Sequence, residues 1–131
     1  MKIKDNIKIS IDTRSSIVAE AALREGASIV NDVSGGSNDK DMFNVVSKYN
    51  ADIILTHMPK EHLIGTNIKC DDILKYIEDY FNNLIKQACL SGIKQKNIIV
   101  DPGISFGKSG DDNIKILKNM SRLVSVFKRV C

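Results

Sequence analysis

Four short runs rich in β-branched apolar residues alternate with segments whose apolar residues recur at helical spacing. The runs lie at residues 7–12, 28–33, 52–57 and 97–101. Three of them are almost continuously apolar, which is typical of strands that are buried on both faces of a parallel sheet. The order β-α-β-α-β-α-β-α therefore predicts an α/β fold, built from right-handed βαβ units around a parallel sheet.

The helical segments carry their own start signals. A residue able to cap a helix stands near the beginning of each one: Ser15 or Ser16, then Asp39, Asp71 and Asp112. In the fourth segment the apolar spacing runs without interruption from residue 114 to residue 127, which predicts one helix there.

The chain length limits the architecture. A chain of 131 residues without a linker or low-complexity segment predicts a single domain at residues 1–131. It is too short for a complete eight-stranded α/β barrel, which needs ~200 residues or more. The alternation by itself leaves two architectures open, a doubly wound open sheet and a curved sheet that forms part of a barrel.

The composition argues against nucleic-acid and membrane partners. The 19 basic and 16 acidic residues are dispersed, and they leave a net charge of only +3. No apolar run approaches the ~20 residues that cross a bilayer. The three cysteines and two histidines lack metal-ligand spacing, so we predict no metal site and expect reduced thiols in a cytoplasmic protein.

Polar residues stand at the carboxyl end of every predicted strand. They are Asp12, Asn31, Thr56 and Asp101, each followed by further polar or turn-forming residues. One such residue could simply end a strand or cap the next helix. Ligands of parallel α/β proteins bind at this edge, however, and the repetition at all four strands favours a binding site.

The glycine-rich segment at residues 103–109 (GISFGKS) offers a second interpretation. A phosphate-binding loop places four residues between its first glycine and the Gly-Lys-Ser group, whereas this segment has three. An open-sheet nucleotide-binding protein that uses Lys108 is therefore the less favoured alternative.

Three stretches together resemble the dihydropteroate synthase family. They are residues 9–13 (ISIDT), residues 29–36 (IVNDVSGG) and residues 100–108 (VDPGISFGK), with His57-Met58 between the second and the third. Their order and spacing resemble that family from the first residues to about Leu123. The wider pterin-binding superfamily shares the Asn-Asp pair that follows a strand.

The resemblance implies a partial TIM barrel. The family folds as a (β/α)₈ barrel, and this chain corresponds to four of its eight β/α units, the third to the sixth. We therefore expect the strands to be parallel neighbours in chain order, in one curved sheet with the helices outside. The implied function is that of a transferase of folate biosynthesis, which condenses hydroxymethyl-dihydropterin diphosphate with p-aminobenzoate and releases pyrophosphate.

The resemblance also implies a set of site residues. Asp12 and Asp101 would be catalytic, and the substrate-binding residues would be Asp12, Asn31, Thr56, Asp101, Phe106 and Lys108. A carboxylate such as Asp101 can accept two hydrogen bonds from the amino group and ring N–H of a pterin. A fixed carboxylate such as Asp12 would stabilise the positive charge that develops as pyrophosphate leaves. Two residues depart from the family pattern, namely Thr56 in place of the usual Met and Ser105 in place of the usual Gly.

Several motifs of the family have no counterpart in this sequence. The missing stretches carry the magnesium-binding Asn and the groups that hold the diphosphate, so Mg²⁺ is expected for the full family enzyme while its ligand is absent from this chain. We therefore expect a truncated chain that is inactive alone and has the substrates, a complementary chain or a second copy as partners. The alternative is a non-catalytic pterin-binding remnant or a subunit of a split enzyme.

Overall fold

The computed structural model describes residues 7–131, which form one parallel sheet with helices between its strands. The strands are β1 (Ser10–Asp12), β2 (Ile29–Asp32), β3 (Asp52–Thr56) and β4 (Ile98–Asp101). The helices are α1 (Ser16–Arg24), α2 (Met42–Lys48), α3 (Lys60–Leu63), α4 (Ile73–Leu90), α5 (Gly110–Lys118) and α6 (Met120–Phe127), with a 3₁₀ turn at Gln95–Asn97.

The strand order confirms the predicted topology. The four strands lie in the order β1-β2-β3-β4, and each pair of neighbours is parallel. A doubly wound sheet reverses its order partway, and this sheet does not. The predicted α/β fold and its sequential parallel strands are therefore confirmed.

The two faces of the sheet have different environments. One face packs under the helices, where Val30, Ile53, Leu55 and Val100 are almost completely buried. Residues that alternate with these along the strands point to the opposite face, which we call the inner face, and many are only partly buried. The inner face is therefore the side on which a ligand can approach the sheet.

Two helical features differ from the sequence-based prediction. The short helix α3 follows β3 directly and is a single turn, too short to leave an apolar period in the sequence. The predicted fourth helix is divided at Asn119 into α5 and α6. The Asn119 side-chain amide donates to the carbonyl oxygen of Lys115 at 2.8 Å, and such side-chain bonding competes with the helical backbone ladder.

The outer edge of β4 is partly covered by the last residues of the chain. The Val100 N–H donates to the carbonyl oxygen of Arg129 at 3.0 Å, and the Cys131 N–H donates to the carbonyl oxygen of Val100 at 3.0 Å. Residues 129–131 thus lie parallel to β4 as a short fifth segment of the sheet. No helix within residues 7–131 combines the length and hydropathy that a bilayer crossing requires.

Candidate functional site

Asp12 and Asn31 form the first polar pair of the inner face. They are register partners at the carboxyl ends of β1 and β2. The Asn31 amide nitrogen donates to the Asp12 carboxylate with a nitrogen-to-oxygen distance of 3.3 Å. The Asn31 side-chain oxygen is buried and has no hydrogen-bond donor among the described residues.

Thr56 and Asp101 form the second polar pair, on β3 and β4. They are also register partners, and the Thr56 hydroxyl donates to one Asp101 carboxylate oxygen at 3.4 Å. The other Asp101 oxygen accepts the backbone N–H of Gly103 at 2.8 Å. Thr56 is completely buried, whereas Asp101 is half-buried.

The register of the sheet brings the two pairs onto one surface. Asn31 is aligned with Ile54, and Thr56 follows Ile54 by two residues, so its side chain lies on the same face one step further along β3. Asp12, Asn31, Thr56 and Asp101 therefore share the inner face near the carboxyl edge of the sheet. The structure places these four predicted site residues on one face of the sheet as two hydrogen-bonded pairs, while their contacts with a substrate stay predictions.

Lys108 has a different environment from that expected of a substrate-binding lysine. Its ammonium donates to the carbonyl oxygens of Gly103, Phe106 and His57 at 2.7, 3.0 and 3.2 Å. Burial lowers the pKa of this amine to about 8. The three donors of the ammonium are thus engaged by backbone carbonyls, and Lys108 ties the loop after β4 to the end of β3.

The same geometry argues against the nucleotide-binding alternative. A phosphate-binding loop needs a lysine whose ammonium can reach the phosphates. The Lys108 ammonium is buried among two carbonyl oxygens of its own loop and that of His57, and releasing it would leave three acceptors without a donor.

Phe106 lies on the loop between β4 and α5 and is half-buried. Its ring packs against that of His62 on α3, with ring centroids 4.8 Å apart. The sequence assigned His62 no site role beyond the absence of metal-ligand spacing, because a four-residue helix leaves no periodic signal. The substrate-binding role that the resemblance implies for Phe106 stays a prediction.

Asp32 is the neighbour of Asn31 in β2, but its side chain points to the opposite face of the sheet, because side chains alternate along a strand. Its fully buried carboxylate accepts three hydrogen bonds, from the Ser34 N–H, the Ser34 hydroxyl and the Gly36 N–H, at 2.9, 2.6 and 2.9 Å. Asp32 therefore shapes the turn after β2 while Asn31 faces the inner surface. A strict two-residue alternation along residues 29–32 is the sequence signal that distinguishes the two roles.

Ser105 stands in the loop with a backbone φ of +71°, a conformation that favours glycine. We expect Ser105→Gly to raise the free energy of unfolding by about 1 kcal/mol, because the strain of a side chain at positive φ is removed. Urea unfolding curves of the two chains measure this difference. Ser105→Ala keeps the strained side-chain carbon and should show no gain; an equal gain in both variants would contradict the explanation.

The described residues contain no cluster of three or more metal-ligating side chains. Within residues 7–131, no three His, Cys, Asp or Glu side chains come close enough together to hold a metal ion. The carboxylates of Asp12 and Asp101 instead accept hydrogen bonds from Asn31, Thr56 and Gly103.

Comparisons with known proteins agree on one family. The pterin binding enzyme family matches residues 1–130 of the chain. A dihydropteroate synthase of Clostridium beijerinckii is 39% identical over 118 residues, which cover 90% of this chain and 42% of that protein. A folic acid synthesis protein of Pneumocystis carinii is 41% identical over 126 residues, covering 95% of this chain and 17% of that protein.

Solved structures give the same result. The dihydropteroate synthase of Clostridium difficile, determined in the presence of pteroic acid, has a TM-score of 0.82 and 38% identity, covering 92% of this chain and 44% of that one. The Xanthomonas albilineans dihydropteroate synthase with 4-aminobenzoic acid has a TM-score of 0.82 and 29% identity, with the same coverage of both chains. The chain thus spans less than half the length of these synthases.

Proposed function

The chain belongs to the pterin-binding enzyme family, and we propose that its inner face binds the pterin in a dihydropteroate synthase reaction. In that reaction hydroxymethyl-dihydropterin diphosphate condenses with p-aminobenzoate and pyrophosphate is released. The observation that carries the proposal is the shared inner-face position of Asp12, Asn31 and Asp101 at the carboxyl edge of a parallel sheet. Relatives of the same fold were solved with pteroic acid or 4-aminobenzoic acid, which supports substrates of this kind.

Asp101 is the anchor for the pterin in this proposal. A carboxylate can accept two parallel hydrogen bonds from an amino group and the adjacent ring N–H, and such pairs are strong when the acceptor is ionised. The Gly103 N–H and the Thr56 hydroxyl each donate to one Asp101 oxygen. These bonds leave further lone pairs of the half-buried carboxylate free for the ligand.

In this proposal Asp12 and Asn31 lie near the methylene carbon of the pterin substrate, where the reaction takes place. When the carbon–oxygen bond to the diphosphate breaks, the bonding electrons leave with pyrophosphate and the methylene carbon becomes electron-deficient. A nearby Asp12 carboxylate stabilises this positive charge until the aminobenzoate nitrogen forms the new bond and loses a proton. Asn31 holds Asp12 through its amide nitrogen.

The lysine of the loop after β4 is not free to bind the diphosphate. The cation in the loop after β4, Lys108, is engaged by three backbone carbonyls, and residues 7–131 contain no cluster that could hold a metal ion. A second candidate function is pterin recognition by residues 7–131, with the diphosphate held by groups outside them. A pyrophosphate-release assay on the chain, with and without a chain carrying the rest of a synthase, separates these possibilities.

The test of the proposed pterin site is Asp101→Asn. The amide loses the negative charge and can place a donor against the donors of the pterin, so we expect pteroic acid to bind more weakly by about 2 kcal/mol, a loss of roughly 30-fold in Kd. Isothermal titration of the chain with pteroic acid measures this directly. The matched control is Asp111→Asn, an exposed carboxylate in the first turn of α5. Equal affinities of wild type and Asp101→Asn would remove Asp101 from the site.

A further inference from the structure

Thr56 combines complete burial with a hydrogen bond to the residue that anchors the proposed pterin site. Its exposed fraction is 0%, although it lies at the carboxyl end of β3 on the ligand-facing side of the sheet. Its hydroxyl has one acceptor among the described residues, the Asp101 carboxylate oxygen at 3.4 Å. A side chain that a water-sized sphere cannot reach does not contact a ligand in this conformation.

The Asp101 carboxylate is held from two directions. Its first oxygen accepts the Gly103 N–H at 2.8 Å, and its second accepts the Thr56 hydroxyl. The χ2 torsion of an aspartate is broad, because the rotation about an sp³–sp² bond has no deep staggered minima. A donor on one oxygen alone leaves the carboxylate free to rotate, whereas donors on both oxygens, one from β3 and one from the loop after β4, restrict the rotation.

We propose that Thr56 is a positioning residue, which orients the Asp101 carboxylate for the pterin and does not itself contact the ligand. The inference rests on the proposed pterin-binding function, and it replaces the direct substrate contact that the sequence predicted for Thr56. Two parallel hydrogen bonds from a pterin require the carboxylate plane to match the plane of the ring. A carboxylate rotated about χ2 keeps one of the two bonds, so the hydroxyl controls both affinity and discrimination against rings that lack one donor.

The register of the sheet explains why the Thr56 hydroxyl lies next to the Asp101 carboxylate. Thr56 and Asp101 are the last residues of β3 and β4 and are register partners in adjacent parallel strands. The backbone carbonyl of Thr56 accepts the Tyr80 hydroxyl of α4 at 3.5 Å, which places the end of β3 against the helix layer. The Thr56 hydroxyl is therefore presented to Asp101 by elements of regular structure, and a loop movement is not needed to bring the two together.

The test compares Thr56→Val and Thr56→Ser with the wild type. Valine has the shape of threonine without its donor, and serine keeps the donor. We expect pteroic acid to bind about 5- to 10-fold more weakly to Thr56→Val, since the loss is one of orientation rather than of a direct contact. Thr56→Ser should bind within about 2-fold of the wild type, because it restores the donor. The urea unfolding midpoint of Thr56→Val should stay close to that of the wild type, which a merely structural role of the hydroxyl would not produce.

A double substitution tests whether the effect passes through Asp101. In a chain that already carries Asp101→Asn, we expect Thr56→Val to weaken pteroic acid binding by less than about 2-fold, because residues that act as one unit are not additive. Equal binding by Thr56→Val and wild type, equal weakening by the serine and valine variants, or full additivity with Asp101→Asn would each overturn the proposal. Absence of pteroic acid binding to the wild type would instead overturn the proposed function on which it rests.

Discussion

Gly103→Ala is expected to destabilise the chain by about 3 kcal/mol or more and to abolish pteroic acid binding. Gly103 follows β4 by two residues and has a φ of +66°. A Cβ atom at this position would overlap the backbone carbonyl oxygen of His57 and would lie 3.4 Å from the Lys108 ammonium. The overlap is with backbone, which cannot move aside as the end of a flexible side chain can.

The loss of binding follows from the same contacts. The Gly103 N–H holds one oxygen of Asp101, and the Gly103 carbonyl accepts the Lys108 ammonium at 2.7 Å. If alanine pushes the loop away from β3, Asp101 loses its backbone donor and Lys108 loses acceptors in a buried position. The carboxylate that anchors the proposed site would then no longer be oriented by the loop.

Gly65→Ala is the matched control for backbone strain. Gly65 has a φ of +72°, close to that of Gly103, and nothing lies within 4 Å of the Cβ position. We expect Gly65→Ala to lower the free energy of unfolding by about 1 kcal/mol, which is the ordinary penalty for a side chain at positive φ. Urea unfolding curves of the wild type and the two variants separate the effect of backbone strain from the effect of the overlap with His57. A loss in Gly103→Ala no larger than that in Gly65→Ala would show that the loop can move and that the close approach to His57 is not essential.

The sequence predicted the sheet well because the fold depends on features that are local. Runs of β-branched residues and the helical spacing between them indicated parallel βαβ units, and the observed sheet has the predicted order. The division of the last helical segment at Asn119 could not be predicted in the same way. The apolar spacing continues across that residue, and the break depends on a side-chain bond to the Lys115 carbonyl.

The candidate site was only partly predictable for a related reason. Asp12, Asn31 and Asp101 stand at strand ends, and the resemblance to a family placed them in one pocket. The bond between Thr56 and Asp101 depends on the register of β3 against β4, which joins residues 45 positions apart. The engagement of Lys108 by carbonyls of its own loop likewise depends on the path of the backbone at positive φ. No periodicity or motif spacing encodes either contact.

Lowering the pH from 7.5 to 5 is expected to reduce the free energy of unfolding by about 2 kcal/mol through one histidine, His57. The His57 side chain is completely buried, and neither ring nitrogen has a hydrogen-bond partner among the described residues. Its ring packs edge-on against Tyr80 and Phe81, with centroids 4.6 and 6.4 Å away. Burial, together with the nearby Lys108 ammonium, lowers the pKa of His57 from 6.5 to about 3.

The direction of the pH effect on stability depends on whether the folded or the unfolded chain binds the proton. Between pH 6.5 and about 3 the unfolded chain protonates His57 and the folded chain does not, so the stability present above pH 6.5 is lost as the pH falls. The slope approaches about 1.4 kcal/mol per pH unit within this window. The carboxylates of Asp39 and Asp72 also have lowered pKa values, and their contribution is lost only as the pH falls below their ordinary value of 3.8. Between pH 5 and 7.5 the histidine is therefore the main contributor, and the Lys108 amine, whose pKa is lowered to about 8, adds only a small part near pH 7.5.

His57→Leu tests this assignment, because leucine fills a similar volume and does not titrate. Urea unfolding of wild type and His57→Leu at pH 7.5, 6 and 5 should show the acid loss in the wild type and its absence in the variant. His62→Gln removes the second histidine of the chain, whose ring packs against Phe106 on the partly exposed rim. Persistence of the loss in His57→Leu together with its disappearance in His62→Gln would assign the proton to His62 and contradict the prediction. Loss of the slope in His57→Leu alone identifies an uncharged imidazole, enclosed by aromatic rings, as the origin of the pH dependence.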